Sequence, residues 1–105
     1  MTIKYLLVQG DTLPVLTETI KTSAGVVVNL TGATAKFHMW RAGETVKVNA
    51  AAAVYDAAGG ILKYSWGATD LSLPGVYNAE WEITFVGGGI QTTDIFGIEV
   101  REAVT

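Results

Sequence analysis

Few side chains here have the type and spacing that chemistry requires. The first candidates are two carboxylates, Glu80 and Glu82. Alternate residues of a strand share a face, so their Cα atoms would stand roughly 7 Å apart. Paired carboxyl groups at such a spacing can divide the work of glycoside hydrolysis. That reaction also needs a sugar-sized cleft, and nothing in the flanking sequence suggests one. A solvated strand face explains the pair more simply. The second candidate is His38, the single histidine. A nucleophilic triad or a metal centre needs partners held by the scaffold. His38 instead alternates with Lys36 and Trp40 on a predicted outer face and reads as an ordinary strand histidine.

Gly87-Gly88-Gly89 could pass for a phosphate loop, but such loops lead from a strand into a helix N-terminus. Ile90 opens another strand, so the glycines read as a hairpin. Asn29-Leu30-Thr31 matches a glycosylation sequon, which is moot without a secretion signal. The absence of cysteine excludes disulfides and thiolate metal sites. No loop spaces Asp and Asn as calcium loops do. No catalytic, cofactor-binding or metal-binding residue is assigned, and the chain is expected not to be an enzyme.

The elements that would carry these residues are all strands. In Tyr77, Ala79, Trp81, Ile83 and Phe85 every second position is apolar, with Asn78, Glu80, Glu82 and Thr84 between them. This period of two predicts one buried and one wet face. Pro74-Gly75 punctuates the preceding turn. Other strands are expected at Thr2–Gln9, Val15–Lys21, Val26–Val28, Ala33–Trp40, Thr45–Tyr55, Ile61–Trp66 and Gln91–Arg101. Ala50–Ala53 favours helix intrinsically, but four residues cannot sustain one, so it is read as extended. Arg41–Glu44 is expected to turn and Glu102–Thr105 to fray.

At 105 residues the chain is expected to form one domain over 1–105. Its strands and turn signals predict an all-β fold, an antiparallel two-sheet immunoglobulin-like sandwich of seven or eight strands. A small closed barrel is the alternative. Apolar runs are too short for a membrane span, which takes ~20 residues, or for a signal peptide. The seven Lys and Arg are scattered and the net charge is −3, which argues against nucleic acid. Charged residues make up 16%, below the ~25% of typical domains, a hint that a partner covers part of the surface.

Trp40 stands out because its parity opposes Phe37 and Met39, whereas Trp66 and Trp81 fall on core parities. Trp and Arg are favoured interface anchors, so Trp40 and Arg41 are expected in a subunit or partner contact, unless a bulge tucks Trp40 inside. Trp40 with Tyr55 would alternatively make a sugar platform, the mark of a carbohydrate-binding module.

Asp70-x(3)-Pro74-Gly75-x-Tyr77 resembles the tyrosine corner of immunoglobulin-like sandwiches, in which a Tyr hydroxyl bonds backward to the chain. Three further segments occur in order with it. They are Gln9–Pro14 with Leu16 and Ile20, then Val28–Met39, then Asp56–Trp66. The set resembles the immunoglobulin-like N-terminal domain of tailed-phage baseplate upper proteins and of small phage tail proteins, with Asn29 where the family suggests Asp. The resemblance implies a virion structural protein that docks other phage structural proteins onto the tail or baseplate. It implies a homo-oligomer in a symmetric assembly, made in the host cytoplasm, with no cofactor and no membrane insertion. The chain ends just past the last strand, so receptor-binding regions of longer members are expected to be absent. A capsid decoration protein is the related alternative.

Overall fold

A computed structural model describes residues 3–41, 43–44 and 46–104. Among them are eight strands and no helix: β1 (Ile3–Val8), β2 (Leu16–Thr19), β3 (Thr34–Trp40), β4 (Val46–Asp56), β5 (Ile61–Tyr64), β6 (Gly75–Thr84), β7 (Ile90–Thr92) and β8 (Phe96–Arg101). Thr2 and Thr45, which open expected strands, Ala42 of the expected turn and Thr105 of the expected frayed end lie outside the described residues.

β6 follows its period-two pattern. Tyr77, Ala79, Trp81 and Ile83 are buried, and the residues between them are half-exposed. The strands join edge to edge in the order β1-β8-β6-β3-β4-β5-β2, with β7 beside the end of β6. β4 makes the sheet curl. Its residues up to Ala52 pair with β3, and from Ala53 it pairs with β5. The alanine run is therefore extended and lies at the hand-over, where small side chains let one strand serve two halves of the sheet. The halves face each other across a core in which Phe37 contacts Tyr64, Trp66 and Trp81, with ring centroids 4.7, 5.7 and 5.0 Å away. Aromatic pairs at this spacing add to the area they bury.

The fold is all-β, but it departs from the expected purely antiparallel two-sheet sandwich. It is one curled, mixed sheet, in which β1 runs parallel to β8. Apolar alternation reports which face is buried and carries no information on the direction of the neighbouring strand. The curl brings the two outermost strands together through side chains. Tyr5 Oη donates to the Thr17 carbonyl at 3.1 Å, and Lys4 Nζ lies 3.1 Å from Glu18 Oε1.

Two other expectations change. Val26–Val28 is not a strand: only a single bridge joins Lys21 to Val27, and Val26 and Val27 are exposed. Three consecutive β-branched residues satisfy propensity but offer no alternating face to bury. The predicted last strand divides into β7 and β8. At the break the Trp81 N–H bonds the Thr93 hydroxyl (3.0 Å) rather than a backbone carbonyl, and Thr93 N–H returns to the Trp81 carbonyl at 2.9 Å.

Candidate assembly surface

The wet face of the larger half-sheet carries most of the residues singled out from sequence. β3 sets His38 directly opposite Glu80 of β6, and Lys36 opposite Glu82. His38 Nδ1 lies 3.3 Å from Glu80 Oε2, with both side chains about one-fifth exposed. Glu80 is thus engaged across the strands, and the two carboxylates lie along an open sheet face. Among the described residues, no three His, Cys, Asp or Glu side chains gather where one metal ion could bind. No helix there is long and apolar enough to cross a membrane.

Trp40 closes β3 opposite Asn78 and is half-buried. Its pairing with β4 is irregular, since the register shifts between Met39 and Trp40. Arg41 points to the start of β6. Its Nε sits 3.3 Å from Glu44 Oε2, and its guanidinium covers Gly75, where an added Cβ would stand 3.6 Å from it. Space is therefore available at Gly75. Its φ of +146° is what a side chain would resist.

Arg41 also flanks Tyr77, whose hydroxyl donates to the Leu73 carbonyl at 2.6 Å. Burial raises the pKa of this phenol above its ordinary value, and the charge of Arg41 opposes the rise. Arg41 is thus tied into the turn that starts β6, a role its sequence position beside Trp40 does not reveal. A sequence signal did exist in the Pro74-Gly75-x-Tyr77 spacing, which marks the turn but not the cation beside it.

Tyr55 is two-thirds exposed and bulges from β4 between Val54 and Asp56, with Lys63 Nζ 5.5 Å from its ring centre. Trp40 pairs with Val46 at the opposite end of β4, roughly 30 Å away along the strand at ~3.3 Å per residue. The two rings do not form one sugar platform. An open cleft of about 510 Å³ lies between β2 and the segment joining β7 to β8, lined among others by Lys4, Glu18, Lys21, Gln91, Thr93 and Asp94.

The expected first strand, Thr2–Gln9, is present as β1, but its exposure was not read from the sequence. Leu6 is 75% exposed on the outermost strand, and beyond Glu99 on the same face lies half-exposed Val76. An unbroken apolar run such as Tyr5-Leu6-Leu7-Val8 has no alternation to tell an exposed position from a buried one.

Comparison with known proteins places this surface in context. No curated protein sequence matches the chain. Among solved structures, the N-terminal domain of phage TP901-1 ORF48 superposes with a TM-score of 0.65 at 17% identity, covering 93% of this chain and 85% of that one. CopC from Methylosinus trichosporium OB3b superposes with a TM-score of 0.59 at 9% identity, covering 99% and 89%. At these identities the likeness is one of fold. The sequence profile of the BppU N-terminal domain matches residues 4–104, nearly the whole chain, and the chain therefore belongs to the family of N-terminal domains of phage baseplate upper proteins.

Proposed function

We propose that this chain is a non-enzymatic structural module of the phage tail or baseplate, an adaptor that binds other virion proteins and assembles as a symmetric homo-oligomer after synthesis in the host cytoplasm. The observation that carries the reading is the family match over residues 4–104. The surface is in keeping with it: the residues with chemical potential are spent on each other, as in His38 with Glu80 and Arg41 with Glu44. Large apolar side chains such as Leu6 and Leu13 are left in water.

Quantitative mass spectrometry of purified particles tests the proposal through the copy number of this chain relative to the major capsid protein. A few to a few dozen copies is the expected result. Hundreds of copies would make it a capsid decoration protein, and complete absence would remove the virion role.

A further inference from the structure

One edge of β6 serves two strands end to end. Gly75–Ala79 pair with β8, and Glu82–Thr84 pair with β7. Beside β8 the next position round the sheet is filled by β1, which meets β2 where the Tyr5 hydroxyl bonds the Thr17 carbonyl. Beside β7 the same position is the open cleft, with Thr19, Lys21 and Ser23 on its far wall. Both walls carry unpaired backbone. The Phe85 N–H bonds the Gly89 carbonyl at 2.8 Å, and the Thr93 N–H bonds the Trp81 carbonyl at 2.9 Å. Strand backbone alternates sides, so Gly89, Gln91 and Thr93 turn theirs to β6, and Ile90 and Thr92 turn theirs away. On β2 the Ile20 N–H bonds the Gly60 carbonyl at 2.7 Å. Glu18 therefore faces β5 as Ile20 does, and Thr19 faces outward with the parity of Thr17. Thr19 and Thr92 are exposed, and both line the cleft.

We propose that this cleft receives an extended segment of another virion protein, which adds to the outer edge of β7 as a strand in line with β1. This names the docking slot of the adaptor and rests on that reading. The width argues for a strand, because β1 itself fills the equivalent position one step along the sheet. The chemistry argues for it too: extended backbone presents N–H and C=O groups to both sides in turn, as two unpaired edges require. About four residues suffice at ~3.3 Å each. Buried Ile20 and Phe96 are among the lining residues, so alternate apolar side chains of the segment find a surface to rest on. Lys4 is already paired with Glu18, whereas among the described residues no ion pair engages Lys21 or Asp94. A segment with an acid near Lys21 and a base near Asp94 complements both.

Photo-crosslinking in assembled particles tests the slot. Thr92→p-benzoylphenylalanine places a reactive ring beside the added strand, and the same change at Leu13, exposed but outside the cleft, is the control. Irradiation is expected to join position 92 to one short segment of a different virion protein, and position 13 to none. Thr92→Pro removes only the outward N–H, which an edge strand tolerates. It should lower incorporation into particles at least about tenfold, while Thr92→Val, which keeps that N–H, incorporates normally. Should Thr92→Pro fail to fold, the crosslink decides alone. In the free chain the Thr92 amide should exchange quickly and the Thr93 amide slowly. A slow Thr92 amide in the free chain would show the position already filled and overturns the proposal. So does a crosslink no stronger at position 92 than at 13, a crosslink only to another copy of this chain, or normal incorporation of folded Thr92→Pro. Absence of the unmodified chain from particles overturns the virion role and this contact together, whereas presence without the crosslink overturns the contact alone.

Discussion

The connection from Ser65 to Pro74 and the strand β1 differ in an instructive way. The connection contains no strand, yet it is held at nearly every step. Asp70 Oδ2 accepts from the Tyr64 hydroxyl at 2.5 Å and from the Gly67 N–H at 2.7 Å. Trp66 Nε1 donates to the Pro14 carbonyl at 3.1 Å, and Tyr77 ties the Leu73 carbonyl. Gln9 Nε2 and the Gly10 N–H reach the carbonyls of Ser72 and Leu71 at 3.1 and 2.9 Å. β1 is a strand, with one slip of register between Ile3 and Tyr5, yet it pairs along one side only. Irregular backbone must find side-chain partners or lose its hydrogen bonds to burial, whereas a regular edge strand can leave groups in water until another strand arrives. Repeating structure and completeness of bonding are separate properties, and here the incomplete one lies at the surface.

The comparison breaks first at the core that both regions rest on. Trp81→Ala empties a fully buried site and is expected to cost about 3–5 kcal/mol, read from urea unfolding. Trp81→Phe should cost clearly less. It keeps a ring against Phe37 and removes an indole N–H that is buried without an acceptor, a group that is costly to desolvate. Equal losses from both variants would mean that a phenyl ring recovers none of the packing against Phe37.

Gly60→Ala should follow. Gly60 has φ of +68°, and an added Cβ would stand 2.6 Å from the Val28 carbonyl oxygen. Left-handed backbone alone costs a non-glycine residue about 1–2 kcal/mol, and displacing Val28 adds to it. The Gly60 carbonyl also accepts the Ile20 N–H at 2.7 Å. Faster amide exchange at Ile20 and Val28, together with a lower melting temperature, is the expected signature. Unchanged exchange there would refute the contact.

Tyr77→Phe tests the pinned connection itself. It deletes the bond to the Leu73 carbonyl and leaves the ring in place, at an expected cost of about 0.5–1.5 kcal/mol. Arg41 loses a neighbour in the same change, so a double-mutant cycle with Arg41→Met should show non-additivity. Strict additivity would separate the cation from the turn.

These tests follow lines that were partly legible in the sequence. β6 and β3 could be read because one face of each is dry, and alternation encodes that directly. The turn at Pro74-Gly75 could be read because it needs residues with particular φ angles. The direction of β1 could not, since parallel and antiparallel neighbours impose the same alternation on a half-buried strand. The break at Thr93 was hidden because Thr suits both a strand and a side-chain bond to backbone. Trp40 shows the limit at the surface: parity assigned it to the outer face, where it pairs with Asn78, but parity carries nothing about Arg41 turning toward Gly75.

The side-chain link between the sheet's two ends gives a pH signature. Burial first, then the charge of Glu18 and the hydrogen bond to it, push the Tyr5 phenol up to about 12 from 10.0. The folded state therefore holds this proton more tightly than the unfolded chain does. The corresponding stability is fully present below pH 10 and is lost as pH rises from 10 toward 12. Tyr64 and Tyr77 are also raised, chiefly by burial. Tyr5→Phe should flatten the decline in unfolding free energy over that window without abolishing it. An unchanged slope would show that Tyr5 is not engaged with Glu18 in solution.

The smallest effect is expected at the edge strand. Leu6→Ser removes an apolar side chain that already lies mostly in water, so the stability of the dilute monomer should change by less than about 0.5 kcal/mol. The contrast with Tyr77→Phe is the informative quantity. One hydroxyl in the pinned connection should outweigh a whole isobutyl group on β1, although the larger group would dominate any count of apolar area. Chemical denaturation at low protein concentration measures the difference. A loss at Leu6 exceeding that at Tyr77 would mean that Leu6 is covered within the monomer, and the division between a closed connection and an exposed edge strand would fail.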